Sequence, residues 1–181
     1  MYSVTNIYSF LACALTCTKL DFTIKEIVDR IKTDFSLPKG RGNLLKFGDS
    51  YLLDESYPGT SRSVSKAARS LVGFKPYVKK TIFIVGDMTE PGVTVEDRHL
   101  NLGYFLSALP IDCLITLGHY AQYIAKGISL IQTKSREVIS VNNVNELVDV
   151  LKETIVPKSA ICVKGLGNVV FHRIKTVLAN Q

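Results

Sequence analysis

Thr81-Ile82-Phe83-Ile84-Val85-Gly86-Asp87-Met88 is the stretch from which the fold is read. Five consecutive β-branched or aromatic residues, without the apolar–polar alternation of a half-exposed strand, describe a strand covered on both faces. The glycine and acid that follow mark its exit into a loop. The same signature returns at Cys113-Leu114-Ile115-Thr116-Leu117 and at Ala160-Ile161-Cys162-Val163, with a further strand expected over Glu137 to Val141. Between these runs the pattern changes to helical spacing. Helices are expected from about Ser61 to Val72, from a capping box at Thr94 to Asp97 onward to about Leu109, and from Tyr120 to Lys126. Two more are expected, one after Asn142 or Asn143 carrying Val144, Leu147, Val148 and Leu151, and one from about Asn168 to Leu178. Continuous apolar strands separated by amphipathic helices require a Rossmann-like α/β fold: an open, mostly parallel sheet with helices on both faces.

Upstream, Leu44 to Phe47 and Tyr51 to Asp54 flank Gly48-Asp49-Ser50, which suits a hairpin. Before that, Ser3 to Thr16 is small and apolar with helical character, and Thr23 to Lys32 carries Ile24, Ile27, Val28 and Ile31 at helical spacing. Leu37-Pro38-Lys39-Gly40-Arg41-Gly42 breaks the pattern. The organisation is therefore a helical segment over 1–36 followed by an α/β domain over 37–181.

Composition narrows the classes. With 46% apolar and 21% charged residues of both signs, the 181-residue chain has the balance of a folded globular domain. The formal charge of +6 and the cluster Lys75, Lys79, Lys80 are compatible with a polyanion, but no aromatic residues interleave with a basic helical face. A nucleotide would suit the charge, and nucleic acid is not expected. Cys13, Cys17, Cys113 and Cys162 lie in apolar runs without C-x-x-C spacing, and read as small core residues of a reducing, cytoplasmic compartment. The run from Ile7 to Cys17 has no basic residue before it, so it is not read as a signal peptide, and no stretch reaches the ~20 apolar residues that span a bilayer. His99, His119 and His172 are scattered without a second ligand at short spacing, so no metal site is expected. His99 reads as an ordinary polar helix residue.

In an open α/β sheet ligands gather where strands end. The exits here are Asp54-Glu55-Ser56-Tyr57, Gly86-Asp87-Met88, Gly118-His119 and Lys164-Gly165-Leu166-Gly167. A carboxylate such as Asp54 can accept bonds from a ribose or cap a turn, and Asp87 can likewise cap a helix. The lysine and glycines before the last helix can hold an anion through backbone N–H groups. Neither G-x-x-x-x-G-K-[ST] nor G-x-G-x-x-G occurs, so the chain has no P-loop and no dinucleotide fingerprint.

Gly86-Asp87-Met88 followed by Glu90, Gly92 and His99 resembles the G-D-M-x-E-x-G…H pattern of the D-alanyl-D-alanine-adding (MurF-type) Mur ligases. Lys39-Gly40-Arg41 resembles that family's K-G-R, Leu53-Asp54-Glu55-Ser56-Tyr57 its I-D-D-S-Y-N-A-N-P, and Val163-Lys164-Gly165 its V-K-G-S. Phe10-Leu11-Ala12-Cys13-Ala14, with Ile24-Lys25-Glu26-Ile27 beyond, is similar to the helices that join the central and C-terminal domains. In order along the chain, these imply a Mur ligase C-terminal domain. The family's central P-loop domain binds ATP with Mg and makes an acyl phosphate, and the C-terminal domain contacts the nucleotide and positions the incoming amine. The resemblance implies nucleotide binding by Arg41 and Asp54 and substrate binding by Ser56, Tyr57, Asp87, Lys164 and Gly165. No residue of this chain is implied to be catalytic, and no cofactor is expected for it alone. The partners implied are the ligase's N-terminal and central domains, in cis or trans, and a small-molecule amine. Pro58-Gly59-Thr60-Ser61 replaces N-A-N-P, Glu55 the second acid, and Leu166 the serine of K-G-S, while Thr5 and Ser9 stand at the family's H-x-x-x-N. These departures leave a degenerate binding module as the alternative. If Asp54 touches only ribose, Asp54→Ala should leave folding nearly unchanged.

Overall fold

The computed structural model describes residues 4–89, 94–131 and 136–179, with side chains from residue 7 onward, so Glu90 and Gly92 of the motif above lie outside the described residues. The chain divides into two compact units, 1–38 and 39–181.

The first unit is a helical hairpin of α1 (Val4–Lys19) and α2 (Ile24–Asp34). Asp21 adopts φ 66°, and the Phe22 N–H reaches back to the Cys17 carbonyl at 3.1 Å, closing the end of α1 as a left-handed cap does. The next helix starts at once. Thr23 Oγ1 accepts from the Glu26 N–H, and Glu26 Oε2 accepts from the Thr23 N–H at 2.8 Å, a complete capping box. Phe10 meets Phe35 edge-on with centroids 6.4 Å apart. Packing here is thin, and one expectation fails: Cys13 is exposed and Cys17 half-buried, so neither is a core residue. The run Ile7–Cys17 is apolar on more than one face, and its outward positions have nothing in this unit to cover them.

The second unit is built on a six-stranded sheet among the described residues, in the order β1 (Asn43–Phe47), β2 (Ser50–Glu55), β6 (Ser159–Lys164), β3 (Lys80–Gly86), β4 (Cys113–Leu117), β5 (Glu137–Val141). Every pairing is parallel except the β1–β2 hairpin, in which Asn43 lies opposite Asp54. Alternate residues of the strands feed two cores. On one face Leu53, Phe83, Val85, Leu114 and Cys162 pack against α3 (Ser61–Val72), α4 (Val95–Ser107) and α5 (Ala121–Ser129). On the other, Leu52, Ile84, Ile115, Ile161 and Val163 pack against α6 (Val144–Thr154) and α7 (Gly167–Ala179). The uninterrupted apolar strands of the sequence are thus explained by cover on both sides. Cys113 and Cys162 are in these cores, where burial pushes the Cys113 thiol up to about 12 and the Cys162 thiol well above its ordinary value.

Several local expectations are refined. Asn143 is the cap of α6, its side chain accepting from the N–H groups of Asn145 and Glu146 at 3.0 Å each. The box expected at Thr94–Asp97 is not formed: Thr94, at φ −140° and ψ 60°, is off the extended conformation a cap needs and makes no side-chain capping bond. The basic cluster is dispersed, since Lys75 pairs with Asp112 and Lys80 with Glu137. In α4 and α5, Gly103 and Gly127 let two backbones touch. A Cβ on Gly103 would stand 2.3 Å from the Ile124 carbonyl oxygen, and one on Gly127 would stand 2.2 Å from that of Leu100. No helix among the described residues is long and apolar enough to cross a membrane.

Candidate functional site

The helices after β2 and β3 lie on one face of the sheet, whereas the helix after β6, the strand between them, lies on the other. Loops leaving neighbouring strands therefore diverge at the carboxyl ends of β2, β6 and β3, the position at which open α/β sheets bind ligands. The motif residues of the second unit surround it.

The hairpin register carries Arg41 to this end. Continued two residues past the pair Asn43–Asp54, it puts Arg41 opposite Ser56. Gly40 makes the approach: its φ is +75°, and a Cβ there would lie 2.7 Å from the Tyr57 nitrogen. Its carbonyl accepts from the Tyr57 N–H at 3.2 Å, and Gly42 N–H donates to the Asp54 carbonyl at 2.8 Å. Asp54, 4% exposed, locks this loop with its side chain. Oδ2 accepts from the Gly40 N–H at 2.9 Å and Oδ1 from the Ser56 N–H at 3.1 Å. Asp54 is thus the brace of the Lys39-Gly40-Arg41 loop. The Arg41 guanidinium lies 4.0 Å from the centre of the Tyr57 ring, a stacking that presents its planar donors while limiting the side chain's freedom. The sequence reading named both residues without pairing them, although the hairpin register was the signal for it.

Lys164 ends β6 and is 3% exposed, with Nζ donating to the Tyr57 carbonyl at 2.9 Å. Burial pulls its ammonium below the usual lysine range, against the opposing pull of Glu55. Glu55 is moved the other way: burial raises its carboxyl, with Lys164 drawing it back and Asp54 adding to the rise. A partly buried cation and acid thus share one strand-end pair, β2 beside β6. Next along the chain from Glu55, the Ser56 Oγ is buried beside Gly40 without a hydrogen-bond partner, a polar atom whose desolvation is uncompensated in the protein itself. The Ser56 carbonyl accepts from the Gly167 N–H at 2.9 Å, tying β2's exit to the start of α7, and Gly165 N–H reaches the Glu55 carbonyl at 3.4 Å.

The β3 exit closes the third side. Asp87 Oδ1 accepts from the N–H groups of Tyr120 and Ala121 at 2.9 and 2.7 Å and so caps α5, the helix-capping role open to it in the sequence. Gly118, at φ +137°, makes room, since a Cβ there would be 2.4 Å from that same oxygen. Thr89 N–H donates to the Gly59 carbonyl at 3.2 Å, joining this loop to the one that replaces N-A-N-P. His99 is not an ordinary polar helix residue. It is 1% exposed, Nε2 accepts from the Met88 N–H at 3.0 Å, and Nδ1–H donates to the Val95 carbonyl at 2.6 Å. It clamps the Gly86-Asp87-Met88 loop to α4, a burial that periodicity does not signal because the residue sits one turn into a weakly amphipathic helix. Of the residues implied by resemblance, Arg41, Asp54, Ser56, Tyr57, Lys164 and Gly165 come together along β2 and β6, while Asp87 stands across β3, committed to α5. Among the described residues no group of three or more His, Cys, Asp or Glu side chains is placed to hold a metal.

No protein-family model matches the sequence, and no curated protein does. Solved structures do match. The UDP-N-acetylmuramoylalanyl-D-glutamyl-2,6-diaminopimelate–D-alanyl-D-alanyl ligase of Acinetobacter baumannii superposes with TM-score 0.76 at 20% identity, over 98% of this chain and 36% of that one. The alanine-adding ligase MurC of Thermotoga maritima gives 0.73 at 13% identity, over 97% and 37%. MurF of Thermotoga maritima, in complex with ADP, gives 0.60 at 17% identity, over 81% and 32%. The chain thus spans about a third of the length of the ligases it matches. At these identities the likeness speaks to architecture, and the architecture is that of a Mur ligase C-terminal domain.

Proposed function

We propose that the unit 39–181 serves as the nucleotide-contacting, amine-positioning domain of an ATP-dependent amide ligase of peptidoglycan precursor synthesis. One observation carries the reading: an exposed guanidinium braced on Tyr57, a buried Lys164 ammonium bonded to the Tyr57 carbonyl and an unpartnered Ser56 hydroxyl beside it gather at the strand ends where this architecture binds ligands. Their chemistry fits a nucleotide and an acyl acceptor. Arg41 offers a fork of N–H donors to phosphate oxygens. Asp54 fixes the position of that fork through Gly40, and any contact with a ribose hydroxyl would use lone pairs its two backbone bonds leave over. Ser56 and Lys164, with the backbone at Gly165, form the polar wall against which a dipeptide amine is oriented, and Tyr57 closes its outer side. ATP with Mg, when bound by a complete ligase, supplies the activation of the acyl carboxylate. This chain's residues contribute positioning and charge compensation, the terms that dominate such transfers. Departures from the family loop fall at Pro58-Gly59-Thr60-Ser61, on the wall facing the amine, so acceptor choice is where this chain would differ from the solved ligases.

The test is ATP-dependent amide formation by this chain alone and mixed with the N-terminal and central domains of a solved Mur ligase, using muramyl tripeptide and D-alanyl-D-alanine. Activity in the mixture alone, lost with Arg41→Ala, is the expected result. A folded chain that neither restores turnover nor changes nucleotide affinity in the mixture would leave the binding-module alternative.

A further inference from the structure

The structure corrects the sequence reading at Cys13 and Cys17, and the correction has chemical content. The two residues are four apart on α1 and so on one face, with Cys13 exposed and Cys17 half-buried. Side chains at this spacing have Cβ atoms about 5–6 Å apart, whereas a disulfide needs about 3.5–4.5 Å, so the pair cannot close as a disulfide while α1 stays helical. A linear sulfur–metal–sulfur unit, longer than a sulfur–sulfur bond, spans a gap of this size through small rotamer changes. From this juxtaposition we propose that Cys13 and Cys17 form a two-coordinate site for a soft, monovalent d10 cation, with Cu(I) as its physiological type.

Three features select that class. Paired thiolates are soft ligands, which favour Cu(I) over harder ions. Zinc needs four ligands, and no cluster of three or more His, Cys, Asp or Glu side chains exists among the described residues to complete its shell. Binding takes Cu(I) and two thiols to a bis-thiolate complex of charge −1 with release of two protons to solvent. That charge is tolerated on α1, which carries Lys19 two residues beyond Cys17 and no carboxylate along its length. The remaining cysteines, Cys113 and Cys162, are buried in separate cores on opposite faces of the sheet and cannot supply a competing pair.

The experiment is anaerobic titration of the full chain with Cu(I) buffered by a chromogenic chelator, followed by X-ray absorption at the copper edge. The expected result is one equivalent of Cu(I) per chain with two sulfur neighbours, lost in Cys13→Ser and in Cys17→Ser, neither residue belonging to a core. The double variant keeps Cys113 and Cys162, so copper retained by it, or half an equivalent shared between two chains, overturns the proposal. Loss of copper accompanied by loss of helical circular dichroism is resolved with Cys13→Ala and Cys17→Ala, which restore helix propensity. Binding restored by alanine also overturns it.

Discussion

Replacing Asp54 by alanine distinguishes a ligand contact from a brace. The carboxylate is 4% exposed and accepts two backbone N–H groups, from Gly40 at 2.9 Å and Ser56 at 3.1 Å. Hydrogen bonds to a charged group contribute about 1.5–3 kcal/mol each, and removing the acceptor strands two donors in a region where Gly40 and Ser56 are themselves buried. Some of that loss is recovered if water enters the space left by the side chain, so the expected destabilisation of Asp54→Ala is about 3–5 kcal/mol. Asp54→Asn keeps the shape and one acceptor oxygen but turns a donor toward a donor, and should fall between the two. Urea unfolding monitored by circular dichroism reads the difference as a shift in midpoint at constant slope. A change below about 0.5 kcal/mol for the alanine variant, the range of ordinary surface substitutions, would refute the brace and return Asp54 to the pure ribose role implied by resemblance.

Two further outcomes follow from packing and charge. Gly103→Ala drives a Cβ to within 2.3 Å of the Ile124 carbonyl oxygen, so α4 and α5 must separate. The cost expected for such overpacking is about 1–3 kcal/mol, visible as a lowered Tm, whereas helix propensity alone would predict a gain. For Asp112, burial raises its carboxyl, but bonds from Lys75 and Thr81 outweigh this and hold it below the usual range. A carboxylate with a lowered folded-state pKa contributes stability above its unfolded value near pH 4, and the contribution disappears as pH falls through the folded-state value. Acid titration of stability should therefore be steeper in the wild type than in Asp112→Asn between about pH 4 and pH 2.

The sheet was readable because its strands are buried on both faces: Thr81 to Val85 and Cys113 to Leu117 leave no alternation to misassign. The helices were readable from their spacing, and Asn143 from the chemistry of caps. What was not readable depends on contacts remote in sequence. Asp54 gave a carboxylate at a strand end but not its two backbone partners, one of them 14 residues away. Asp87 reads in the sequence as either a cap or a ligand contact, because the Tyr120 and Ala121 N–H groups it accepts from lie more than thirty residues on. The cysteines of α1 were misjudged because an apolar run implies burial only when something covers it, and composition cannot say what does. The strand order, with β6 inserted between β2 and β3, is invisible locally, yet it is what gathers Lys164, Ser56 and Arg41.

The cap that Asp87 gives α5 sets a rule of exclusion. Its Oδ1 is held by two amides at the positive end of a helix dipole, so a cation that drew the carboxylate away would leave both N–H groups uncapped. Capture of this carboxylate by a cation and an intact first turn of α5 therefore oppose each other. An anionic group would meet the carboxylate's own negative charge and find these two N–H groups already taken.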